Sequence, residues 1–121
     1  MTNIEKPSYL LLFRHPQEGP DPTPEEMQKI FGKWMDWMKG LKANGQYLGG
    51  DRLDDAGKVV RRPRGTSVTD GPFAESKEVV GGYIIVAADD LGQAAELARG
   101  CPGLDNGTVV EVRPIEKLPH I

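Results

Sequence analysis

Cysteine and histidine are nearly missing from this chain: one of the first and two of the second, Cys101, His15 and His120, in 121 residues. A lone cysteine closes no internal disulfide, and two isolated histidines without paired cysteines or a His-Glu-x-x-His run give no metal centre of familiar spacing. Cys101, before Pro102 and just past a helix-like stretch, reads as a structural thiol. There is no Gly-x-Ser-x-Gly elbow and no glycine-rich phosphate loop. Gly49-Gly50 and Gly81-Gly82 fall inside strand-like runs, where glycine pairs mark bulges. Neither a metal nor a cofactor is expected. Long apolar runs are absent too: residues 9–13 and 83–88 fall far short of the roughly 20 that cross a bilayer, and the start Met1-Thr2-Asn3-Ile4-Glu5-Lys6 lacks the apolar centre of a signal peptide. No membrane partner and a cytoplasmic location are the expectation. With a net charge of −3 and scattered basic residues, the chain also lacks the concentrated positive field that a phosphate backbone demands. The one basic cluster, Arg61, Arg62 and Arg64, has no aromatic residue interleaved and reads as a solvated hairpin tip, so no nucleic acid is expected.

What is present is an ordinary globular composition, 38% hydrophobic and 27% charged, at a length that suits one domain over residues 1–121. Residues 9–13 are continuously apolar and read as a strand covered on both faces. Thr23, Pro24 and Glu26 spell a helix start, Met27, Ile30, Phe31, Trp34, Trp37, Met38 and Leu41 recur at helical spacing, and Asn44-Gly45 supplies the stop. Residues 47–53 follow as a strand. A turn at 54–57 leads to strand-like residues 58–61 and 66–69, a hairpin excursion. After a polar loop at 74–78 comes the most strongly strand-like run, 82–88. A second capping box, Asp90 to Gln93, opens a short helix ending near Gly100, and residues 108–115 alternate Val110 and Val112 with Glu111 and Arg113. The order β-α-β, hairpin, β-α-β is the split pattern of an α+β, ferredoxin-like βαββαβ sandwich with a β-hairpin insertion.

Two helices cover one face of a four-stranded sheet. Yet Tyr83, Ile85 and Ala87 point opposite to Ile84, Val86 and Ala88, and both sets are apolar; the same holds for Leu10 and Leu12 against Tyr9, Leu11 and Phe13. A homodimer that stacks sheet on sheet covers the second face economically. The alternative is that the 54–69 excursion folds over it within one chain.

The segment Asp70-Gly71-Pro72-Phe73-Ala74-Glu75-Ser76-Lys77-Glu78 closely resembles the DGPF branch of the YCII-related family. So do the Tyr9-Leu10-Leu11-Leu12 opening, Asn44-Gly45, Gly49-Gly50, Gly81-Gly82-Tyr83-Ile84-Ile85, Cys101-Pro102 and the ending Val110-Glu111-Val112-Arg113-Pro114-Ile115. The resemblance implies a ferredoxin-like fold of the dimeric α/β-barrel type. It also implies that some relatives act as lyases or isomerases through a His-Asp pair, and that DGPF members are associated with extracytoplasmic-function sigma factors. The enzyme-like branch carries a histidine in or near the first helix, whereas residues 23–45 contain none.

Two functional readings follow. In one, the protein binds or transforms a small organic molecule in a cleft near Asp70-Gly71-Pro72-Phe73; if it is an enzyme, it is a cofactor-independent lyase or isomerase. Asp70 then serves as general base, His15 is its candidate partner, and Arg14, Phe73, Glu75, Lys77 and Trp34 are candidate ligand contacts. In the other, it is a non-catalytic module associated with a sigma factor. Beside the catalytic role, Asp70 also reads as a turn-former, His15 as a strand-end residue packed by Pro16, and Trp34 as core.

Overall fold

The protein was analysed as a computed structural model, which describes residues 6–16, 21–62, 65, 67–71 and 78–119. The apolar opening forms β1 (Ser8–Pro16), and the Thr23 signal opens α1 (Pro24–Ala43). Thr23 Oγ1 accepts the Glu26 amide at 3.2 Å and donates to the Glu26 carboxylate at 3.1 Å, so the first turn is closed by its own sequence. Gly45, at φ 70°, turns the chain out of the helix in a conformation that glycine adopts without penalty. Strands β2 (Tyr47–Arg52), β3 (Gly57–Arg61), β4 (Ser67–Gly71) and β5 (Glu78–Ala87) follow. Then come α2 (Leu91–Ala98), whose Asp90 cap accepts the Gln93 amide at 2.8 Å, a 3-10 turn at Pro102–Asn106, and β6 (Val109–Pro114).

The strands order as β2-β5-β1-β6, all antiparallel, with β3 and β4 forming a separate two-stranded sheet. Two helices with antiparallel sheets in this order are compatible with a ferredoxin-like fold. The helices cover the face that carries Tyr9, Leu11 and Phe13 of β1 and Ile84 and Val86 of β5, with Ala88 just past that strand; these close with Leu41, Ala94, Ala98 and Cys101 into one core. Cys101 is buried, and burial raises its thiol above the ordinary value of 9.0 although the Gly103 and Leu104 backbone bonds pull the other way. This is the structural thiol expected.

The structure departs from the sequence reading at β1, which runs on to Pro16, and in three further features. β5 begins at Glu78, four residues earlier than the apolar run, because Val80 and Val79 still pair with Arg14 and His15 beyond a register shift next to Gly81. Asp70 lies within β4 instead of after a strand: it sits directly opposite Lys58, and the two side chains form an ion pair that continues the ladder to Gly57 and Gly71. The apolar stripe of α1 is only partly covered. Leu41 is buried and Trp34, Trp37 and Met38 pack on the core, but Met27 and Phe31 remain 48% and 65% exposed.

The second face of the sheet presents Leu10, Leu12, Tyr83 and Ile85, all half-buried. The β3–β4 hairpin does not cover it. Val60 and Val68, opposite one another, are both exposed, and the hairpin makes no extensive contact with another described element. The intrachain alternative therefore fails among the described residues. No helix among them is long and apolar enough to cross a membrane.

Candidate functional site

Of the sequence's candidates, His15, Arg14 and Trp34 lie toward the Pro16 end of β1. His15 is the penultimate residue of β1, and its ring is packed over Gly81: a Cβ at that glycine would stand 2.7 Å from Nε2. Its Nδ1 lies 3.2 Å from the Pro16 carbonyl oxygen. His15 is exposed. One row further in, Phe13 meets Trp34 edge-on at a centroid distance of 4.8 Å and Trp37 at 6.1 Å, and the two tryptophans meet at 5.8 Å. Trp34 thus belongs to the core's rim, half-buried, facing the strand that carries His15.

The same packing fixes where the uncovered part of α1 lies. The helix runs antiparallel to β1: its last turn leads through Gln46 to Tyr47, which shares a row with Val86 and Tyr9, while Trp34 stands over Phe13. From Trp34 back to Met27 is about 10 Å of helix, and from Phe13 on to Pro16 is about 10 Å of strand. The first turns of α1 therefore run toward the Pro16 end of β1. Among the described residues, Met27 and Phe31 of these turns remain exposed. β5 begins at the same end, where Glu78 pairs with Pro16.

Asp70 is held elsewhere, in the two-stranded sheet. Its side chain is 89% exposed and is paired with Lys58, beside a shallow open hollow of about 520 Å³ lined by Ala56, Gly57, Lys58, Asp70 and Gly71. No hydrogen bond or ion pair among the described residues links Asp70 to His15. Phe73, Glu75 and Lys77, with Pro72, lie outside the described residues.

Arg14 points to the opposite face of the sheet from the helices. Its Nε and a terminal nitrogen reach Glu111 Oε1 at 3.2 and 3.1 Å, and Arg113 reaches Oε2 at 3.1 Å. The hydrogen bond from Arg113, reinforced by the charge of Arg14, holds the Glu111 carboxyl below its ordinary value. The cluster therefore carries one surplus positive charge at the β6 edge. At the other edge of that face Asp51 accepts a long hydrogen bond, 3.4 Å, from the Tyr83 hydroxyl.

Sequence reasoning missed Arg52. Simple alternation from Tyr47 puts Arg52 on the open face, but the register shifts between Tyr47 and Gly49, and Arg52 ends opposite Gly82 on the helix side. The glycine pair at 49–50 was the signal that parity would break there. Arg52, exposed, also borders a shallow hollow of about 390 Å³ with Leu53, Asp54 and Asp55. Among the described residues no group of three or more His, Cys, Asp or Glu side chains is placed to hold a metal ion.

The family model described as YCII-related domain matches the chain over residues 8–118. No curated protein matches the chain.

Proposed function

The chain belongs to the YCII-related domain family, and on that premise we propose that it works as a homodimer that binds a small organic molecule at the Pro16 end of its helix–sheet layer. The observation that carries the binding site is the uncovered half of the α1 stripe. Met27 and Phe31 stay exposed, on the half of α1 that runs toward the end of β1 carrying His15. An apolar wall facing a polar side chain at the end of a sheet is the composition that small-molecule sites favour. The reading is of binding before catalysis. Asp70, the candidate base, stands solvated on the hairpin and paired with Lys58, with no hydrogen bond or ion pair to His15 among the described residues.

The dimer rests on the second face. Leu10, Leu12, Tyr83 and Ile85 form its apolar centre, with surplus positive charge at the β6 edge and Asp51 at the β2 edge. A two-fold axis running along the strands lays each edge over the partner's opposite edge, which brings unlike charges together. The stacked sheets then make the dimeric α/β barrel.

The binding site is tested by thermal shift against a panel of small metabolites, because a ligand at one hundred times its Kd stabilises the native state by about 2.7 kcal/mol. The hit's shift is expected to fall sharply in His15→Ala and Met27→Ser, both at exposed positions, and to persist in Asp70→Asn. A shift retained in the first two variants and lost in Asp70→Asn would move the site to the hairpin and overturn the reading.

A further inference from the structure

We propose that the molecule bound at this end is a small organic acid whose carboxylate is taken by Arg52 and His15, an inference that rests on the binding site proposed above. Arg52, Gly82 and Phe13 form one row across β2, β5 and β1 on the helix side, and His15 lies over the neighbouring Gly81. The two glycines leave the sheet without side chains at this point. A Cβ at Gly82 would already stand 3.0 Å from the Asp51 carbonyl oxygen and 3.4 Å from the Arg52 Cα, so β2 lies tight against the pair. The result is a bare strip of β5 with a guanidinium from one neighbouring strand and an imidazole from the other.

The charge of Arg52 is unspent. Among the described residues it makes no ion pair, although three aspartates are close in sequence. Asp51 belongs to the opposite face, where Tyr83 donates to it, and Asp54 Oδ1 accepts the Ala56 amide at 3.0 Å in a local turn. Asp55 borders the same open hollow as Arg52 without engaging it. A guanidinium presents a planar fork that matches a carboxylate, and His15 in its protonated form, with Nδ1 on the Pro16 carbonyl, adds Nε2 as a further donor. The nearby aspartates oppose a dianion more than a monoanion, which favours a carboxylate over a phosphate. Trp34, half-buried at the core's rim and edge-on to Phe13, with the exposed Met27 on the same helix, asks for an apolar body on that acid.

The test is calorimetry and thermal shift on the full chain with phenylacetate and hexanoate, their neutral amides and inorganic phosphate as probes. The acids are expected to bind the wild-type protein at least about 10-fold more tightly than the amides, and Arg52→Gln to lose about 10-fold or more for the acids while changing the amides little. Arg52→Lys should recover part of the loss, since charge returns without the fork. Unchanged circular dichroism and mass in Arg52→Gln separate this from misfolding. Acids that bind Arg52→Gln as well as wild type, phosphate that binds as well as the acids, or no binding of either acid at about 10 mM would each overturn the inference. A neutral hit that depends on His15 and Met27 but not on Arg52 would leave the site standing and remove only its acid preference.

Discussion

Ile84 and Ile85 are adjacent in sequence, and the same substitution at each should produce opposite failures. Ile84 faces the helices, 3% exposed, opposite Leu11 and beside Val86. Replacing it by lysine removes packing worth about 2–5 kcal/mol and leaves an ammonium with no partner in the core, a further penalty of several kcal/mol. A domain of this size holds about 5–15 kcal/mol in total, so Ile84→Lys should be largely unfolded. Ile85 faces the open side, half-buried, opposite Leu10. In an isolated protomer its replacement by lysine should cost no more than about 1 kcal/mol. In the dimer the same change sets two like charges into the apolar centre of the interface. Losing about 3 kcal/mol there weakens association by about 100-fold or more. Light scattering after gel filtration at micromolar concentration reads the mass, and circular dichroism reads the melt. The expected pattern is a folded dimer for wild type, a folded monomer for Ile85→Lys, and loss of the cooperative melt for Ile84→Lys. A wild-type protein that is monomeric at tens of micromolar would refute the argument from the open face. So would an Ile85→Lys variant that stays dimeric.

The Glu111 carboxyl titrates below its ordinary value of 4.5 chiefly because Arg113 hydrogen-bonds it, with Arg14 adding its charge. Its contribution to stability is thus present above that value and is lost as pH falls through the lower folded value, so Glu111→Gln should lower the melting temperature modestly at neutral pH and flatten the acid limb below about pH 4.5, where variant and wild type converge; an unaltered acid limb would refute this. Cys101 is displaced the other way, by burial, so its contribution is complete below pH 9 and is lost as pH rises beyond it. In the native protein a disulfide reagent at pH 8 should label Cys101 slowly, and in denaturant at once; equal rates would show the thiol to be accessible.

What sequence alone determined here is whatever depends on neighbours along the chain. Thr23 with Glu26 and Asp90 with Gln93 place both helix starts, because a cap is built within four residues. The doubly apolar runs 9–13 and 83–88 reveal a sheet with an uncovered face, because alternation is a local property. The motif at 70–78 indicates the family, since those residues stand consecutively. Tertiary structure decided everything that depends on pairing between distant strands. Asp70 proved to be a strand residue because Lys58, across the hairpin, supplies both ladder and counter-charge. Val79 and Val80 joined β5 only because β1 continues past the shift near Gly81 to give them partners. The stripe on α1 reads as one continuous apolar face, yet Met27 and Phe31 remain exposed while Trp34, Trp37, Met38 and Leu41 pack, a difference that periodicity along one helix does not carry. Arg52 shows the reason most directly. A one-residue slip at Gly49 transfers every later side chain of β2 to the other face, and only the register with β5 reveals which way it went.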